Sequence, residues 1–176
     1  MSLLRVLLGR TWPLWAAIAA AAMLAIAHGF QTFGHMAPCE LCLKQRVVYW
    51  IALFVGLIGW RLELALPGRR WALIASGALL LVFLAEAALA AYHAGVEWKW
   101  WPGPQECTGQ GPASAQALTA LLSGAKIVRP SCDVAAWRWL GLSMAGWNAL
   151  TATGLAGLSL AAAITAWRAP ARTPKS

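Results

Sequence analysis

Two thiols three residues apart, in Cys39-Glu40-Leu41-Cys42, have the types and spacing to do chemistry. A CxxC pair closes a loop too small to restrict much of the unfolded chain's freedom, so as a structural staple it stabilises little. The spacing therefore points to redox use. Cys107 and Cys132 complete the set of four cysteines; as a pair they span a longer loop that could serve as a plain staple. Haem attachment requires CxxCH, and Leu43 follows Cys42. A four-cysteine zinc site brings two close-spaced pairs together, whereas Cys107 and Cys132 are far apart in sequence, so no metal is expected.

Pro38, just ahead of the motif, suits the start of a helix and puts Cys42 near that helix's N-terminus, where the macrodipole favours a thiolate. Arg46 follows one turn deeper on the same face and acts in the same sense. A thiolate is what a nucleophile or an electron donor must be. Lys44 is read as snorkelling to headgroups, and Arg46, aligned with Cys42, as functional. Glu86 lies inside a long apolar run, where a carboxylate is a functional candidate in its own right, and precedes His93 by two helical turns on one face. It could pair with a basic group, aid proton delivery, or sit buried and protonated. His28 and His35 read as interfacial polar residues rather than ligands.

The elements that must hold these groups are membrane helices. Of 176 residues, 60% are hydrophobic and only 11% charged, against about 25% charged in soluble domains. The apolar residues come in four runs, 12–30, 41–60, 71–92 and 142–167, each near the roughly 20 residues that cross a hydrocarbon core. Only a helix satisfies its own backbone in lipid, so the expected fold is an all-α integral membrane protein, a single domain over 1–176 built as a four-transmembrane-helix bundle. Gly141, Gly146, Gly154 and Gly157, assigned to the fourth helix, are expected to let helices approach closely. Arg5, Arg10, an apolar run and Ala25-Ile26-Ala27 also resemble a cleaved signal peptide. The run continues to Phe30 and Phe33, beyond the length of a signal's apolar region, which favours a retained helix.

Arg5 and Arg10, then Arg61, Arg69 and Arg70, then Arg168, Arg172 and Lys175 fall in three short segments that share one side if there are four crossings. The positive-inside rule makes that side cytoplasmic, with both termini. The loops 31–40 and 93–141 then lie outside with every cysteine, in what for a bacterium is an oxidising periplasm where two disulfides are the default. Trp98, Trp100, Trp101, Trp137 and Trp139 flank the longer loop as an interfacial belt would. Within it Leu118, Leu121, Leu122 and Ala125 recur at helical spacing, predicting a short helix in the second periplasmic loop, on the membrane surface or packed within the loop. The formal charge of +8 carries no basic stripe with interleaved aromatics, so no nucleic-acid partner is expected.

Taken together, these residues resemble the disulfide bond formation protein B (DsbB) family, the quinone-linked oxidases of the bacterial inner membrane, along nearly the whole chain. The likeness is carried by Pro38-Cys39-Glu40-Leu41-Cys42 followed by Gln45-Arg46, by Tyr92-His93-Ala94-Gly95-Val96-Glu97-Trp98, and by Cys107. It continues in Cys132 leading into Leu140-Gly141-Leu142-Ser143-Met144-Ala145-Gly146-Trp147-Asn148. The vitamin K epoxide reductase family, a similar four-helix quinone oxidoreductase, carries its CxxC on a later helix. The resemblance implies that Cys107 and Cys132 form an outer pair that meets a reduced thioredoxin-like dithiol protein (DsbA-like) of the periplasm. The partner's thiolate would attack Cys107, and Cys132 would then attack Cys39 and free Cys42 beside a quinone of the membrane pool. The same resemblance implies quinone contacts for Arg46 and His93 and leaves ubiquinone and menaquinone equally open. Two other readings stand beside it: a non-enzymatic scaffold whose disulfides only brace its outer loops, and a quinone oxidoreductase for a different substrate thiol.

Overall fold

The computed structural model describes residues 9, 11–66, 68–104 and 131–168. Four helices dominate them: α1 Trp12–Thr32, α2 Glu40–Ala65, α3 Arg69–Glu97 and α4 Met144–Arg168. Each is long and apolar enough to cross a membrane, so the protein is a multi-pass four-helix membrane bundle. Ala25, Ile26 and Ala27 lie within α1 rather than after it. Cys107 and the stretch 118–125, where a surface helix is expected, lie outside the described residues.

Local chemistry sets the helix ends. Pro13 sits in the first turn of α1, where a missing N–H costs nothing. The fourth helix starts after a small hairpin, β1 Arg138–Trp139 paired antiparallel with β2 Leu142–Ser143. Its two turn residues, Leu140 (φ 50°) and Gly141 (φ 81°), both take the positive φ of a type I′ turn. Ser143 Oγ then accepts the Gly146 N–H at 3.1 Å and caps α4. Gly141 therefore turns the chain rather than packing a helix. At the end of α3, Ala94, Gly95 and Val96 are buried and the helix continues to Glu97, past the expected 92. His93 consequently lies inside the helix and not beyond it.

The core joins all four helices: Ala16, Ala20 and Leu24 of α1, Tyr49 and Ala52 of α2, Leu79 and Phe83 of α3, and Leu155, Ala156 and Ala162 of α4. Their outer faces carry exposed Ile18, Val47, Phe54, Ile58, Leu81 and Leu158, the surface that lipid requires. Close helix approach belongs to α2. A Cβ at Gly56 would stand 2.7 Å from the Pro13 carbonyl oxygen, and one at Gly59 2.8 Å from Ala75 Cβ. Gly154 and Gly157 have nothing within 4 Å of that position, which corrects their expected role. Ala152, Ala156 and Ser159 form the buried face of α4 instead. At the far end of the bundle from Cys39, the Arg69 guanidinium lies 5.0 Å from the Trp167 ring.

Candidate functional site

Cys39 is the N-cap of α2: its backbone is extended and its Sγ accepts the Cys42 N–H at 3.2 Å. Cys42 is thus the third residue of the helix, among the amides that have no partner within it. The two Sγ atoms are free and 2.7 Å apart. The hydrogen bond to Cys42, together with burial, holds the Cys39 thiol well above its ordinary range.

Cys132 is disulfide-bonded and is buried with Cys39, Leu41 and Val96, so the loop brings its sulfur into the packing around the CxxC. Its segment is tied to the end of α3 by the Lys99–Asp133 ion pair, and Ser131 Oγ donates to the same carboxylate. Lys99 and Ser131 hold the Asp133 carboxyl below its usual range.

His93 is buried beside Cys39, with Nε2 3.6 Å from Cys39 Sγ. Its Nδ1 lies 3.2 Å from Gln45 Nε2. Gln45 Oε1 in turn accepts from Asn148 Nδ2 at 3.1 Å, and Asn148 Nδ2 also donates to Glu86 Oε1 at 2.6 Å. Asn148 Oδ1 accepts from the Tyr49 hydroxyl at 2.5 Å. Glu86 is fully buried and linked to His93 through two amides, and among the described residues it is not paired with a basic group. Gln45, Tyr49 and Asn148 were not singled out from the sequence as site residues. One signal was available: Cys42, Gln45 and Tyr49 recur at i, i+3 and i+7 on one helix face.

A cavity of about 340 Å³ opens against these groups, within the ~300–1,000 Å³ of small-molecule sites. Leu24, Phe30, Trp137, Met144 and Trp147 give it apolar and aromatic walls, and Cys42, Gln45, Arg46 and His93 give it polar points. Arg46 does not reach outward. Its Nη1 donates to Gln31 Oε1 at 2.5 Å and its Nη2 to the Ala27 carbonyl at 2.9 Å, which fixes the guanidinium against the last turns of α1. Its Nε is buried with no partner among the described residues. Lys44, by contrast, lies at the surface 3.7 Å from Glu40. A flat ring carrying oxygens fits this arrangement: aromatic walls for its faces, an unmet N–H donor for an oxygen.

Cys39, Cys42 and His93 place their ligand atoms within 4.8 Å of one another, a spread a metal ion could bridge. Two sulfurs bound to one tetrahedral zinc at ~2.3 Å each would be about 3.7 Å apart. At 2.7 Å these sulfurs face each other instead.

The chain is similar to proteins of one known family. The family described as Disulfide bond formation protein DsbB matches residues 9–162. A Disulfide bond formation protein B of Dechloromonas aromatica (strain RCB) is 31% identical over 156 residues, covering 83% of this chain and 87% of that one. Proteins of the same name from Methylococcus capsulatus and from Azoarcus sp. (strain BH72) are each 31% identical, over 150 and 160 residues. These alignments cover 80% and 84% of this chain, and 85% and 89% of theirs.

Proposed function

Because the chain belongs to the DsbB family of disulfide bond formation proteins, we propose that it is a thiol:quinone oxidoreductase of the bacterial inner membrane. In this reading it reoxidises a DsbA-like dithiol protein of the periplasm and passes the electrons through two cysteine pairs to a membrane quinone. The observation that carries the proposal is the position of Cys39. It packs against Cys132 and shares with Cys42 a cavity that also holds Arg46 and His93.

The steps balance as thiol–disulfide exchange. The partner's thiolate attacks Cys107 Sγ, the Cys107–Cys132 bond breaks, and Cys132 leaves as a thiolate. Cys132 attacks Cys39 Sγ, and Cys42 leaves as a thiolate into the cavity. The partner's second thiolate then breaks the mixed disulfide and departs oxidised. The Cys107 it frees reclaims Cys132 and leaves Cys39 reduced. A quinone, when bound, accepts the two electrons and two protons released as the Cys39–Cys42 disulfide re-forms. The Arg46 guanidinium would hold an oxygen of that ring, His93 would face the other polar edge, and the aromatic walls would keep water out. Ubiquinone and menaquinone offer the same two oxygens to these residues. The basic end, with Arg61, Arg69, Arg70 and Arg168, would be cytoplasmic together with both termini, and the cysteines periplasmic.

The test is a Cys132→Ser variant mixed with a reduced, thioredoxin-like dithiol protein. Without the resolving thiol, a mixed disulfide should accumulate through Cys107. Accumulation through Cys39 would reverse the order of the pairs, and no mixed disulfide at all would favour a scaffold whose disulfides only brace its loops.

A further inference from the structure

The buried polar chain behind His93 has a direction, and that direction fixes which ring nitrogen carries the proton. Tyr49 is its origin. A buried phenol must place its one hydrogen on an acceptor, and among the described residues the partner of the Tyr49 hydroxyl is Asn148 Oδ1 at 2.5 Å. With its oxygen so engaged, Asn148 turns its NH2 toward both Glu86 Oε1 (2.6 Å) and Gln45 Oε1 (3.1 Å). The Gln45 oxygen is now taken, so its NH2 is the group left to face His93 Nδ1 at 3.2 Å. An N–H can meet Nδ1 only if Nδ1 is bare. A neutral imidazole with a bare Nδ1 carries its hydrogen on Nε2, which lies 3.6 Å from Cys39 Sγ. The opposite direction would need a proton on Glu86 Oε1 and would leave the Tyr49 hydrogen without this acceptor.

We propose that Gln45 and Asn148 are positioning residues, anchored by Tyr49 and Glu86, that hold His93 in the tautomer whose Nε2–H points at Cys39 Sγ. His93 is then a donor at the CxxC and not a base. Under the thiol:quinone reading above, on which this consequence rests, the Nε2–H meets the charge that forms on Cys39 Sγ when Cys107 reclaims Cys132. Around the ring, the groups that bear on its charge are Cys39, Cys42 and Arg46 from α2, Glu86 and Glu97 from α3, and the backbone of Cys132 from the loop. The Glu97 carboxylate, 3.9 Å from Nε2, lies beyond hydrogen-bond reach.

The tautomer can be read without any quinone or partner. In the reduced full-length chain labelled with [15N]histidine, the His93 ring signals are those lost in His93→Gln, and the couplings of each nitrogen to the ring hydrogens show which one is protonated. The expected spectrum has a bare Nδ1 and a protonated Nε2. In Gln45→Glu an oxygen replaces the amide nitrogen opposite Nδ1, and the bare Nδ1 signal should disappear as that nitrogen gains a proton. Should Gln45→Glu not fold, Tyr49→Phe removes only the anchor and should bring up a second His93 tautomer. A protonated Nδ1 in the unaltered chain overturns the proposal, as does a single Nε2–H tautomer that persists in the variants. In a single turnover with the partner dithiol, Gln45→Glu should slow the release of reduced Cys39 by about tenfold while formation of the mixed disulfide at Cys107 is unchanged. An unaltered release of Cys39 beside a switched tautomer would overturn the functional part alone.

Discussion

Cys39 sits among Leu41, Val96 and Cys132 and lines the cavity together with Cys42, with Arg46 one turn further along α2. Arg46 is tied to α1 through two of its nitrogens, and its Nε has no partner among the described residues, which supports the proposal that it binds the quinone rather than anchoring to headgroups. Arg46→Ala should therefore raise the apparent KM for quinone by about 10- to 100-fold, and Arg46→Lys, which keeps charge but not the planar fork, by less. Single-turnover reduction by the partner without quinone should stay near normal in both. Quinone titration of each variant checks this, and an unchanged quinone dependence in Arg46→Ala would move the site elsewhere. Cys39, Cys42 and Arg46 could be singled out in the sequence because CxxC spacing and a one-turn offset are local, whereas His93 is expected at the site only through the family resemblance. The Gln45–Asn148–Glu86 chain could not, because each member sits on a different helix and only the bundle's packing shows which polar residues meet.

The apolar runs revealed four helices but not all their ends or contacts. The burial of Ala94, Gly95 and Val96 extends α3, with the Trp101 side chain lying over Gly95 where a Cβ would collide with it. Glycine content alone pointed to α4 as the tightly packed helix, yet Gly56 and Gly59 of α2 are the ones against which other helices lie. Gly56→Leu should destabilise the bundle by about 1–3 kcal/mol through overpacking, while Gly157→Leu, at an exposed position, should change stability by no more than about 0.5 kcal/mol. Thermal unfolding in one detergent compares them, and equal effects would contradict the assigned packing. The Cys132 segment depends on a different contact, the Lys99–Asp133 pair. Because the Asp133 pKa is depressed, that tie is fully present above the ordinary carboxylate value of about 4 and is lost as pH falls through the lower folded value. Lys99→Met should shift the loss of hydrogen-exchange protection at 131–134 to higher pH. An unshifted profile would mean that burial of Cys132 alone holds the segment.

At the scale of the whole molecule, one end of the bundle collects Cys39, Cys132 and the tryptophans Trp98, Trp100, Trp101 and Trp139, and the other collects Arg61, Arg69, Arg70 and Arg168. Reporter fusions after Arg70 should accordingly behave as cytoplasmic and one near Gln110 as periplasmic, with the opposite pattern removing the cysteines from their oxidising space. The polarity matters because the relay needs its outer pair in the periplasm and its last sulfur at the membrane. The most direct test of that relay is a single turnover. The oxidised chain is loaded with one equivalent of quinone in detergent and mixed with a reduced thioredoxin-like dithiol protein, and quinone absorbance and partner thiols are followed together. The account predicts one quinone reduced for each dithiol oxidised in the unaltered chain, and no quinone reduction in Cys107→Ser or Cys42→Ser. Quinone reduction that proceeds as fast without Cys42, or dithiol oxidation that leaves the quinone untouched, would contradict it.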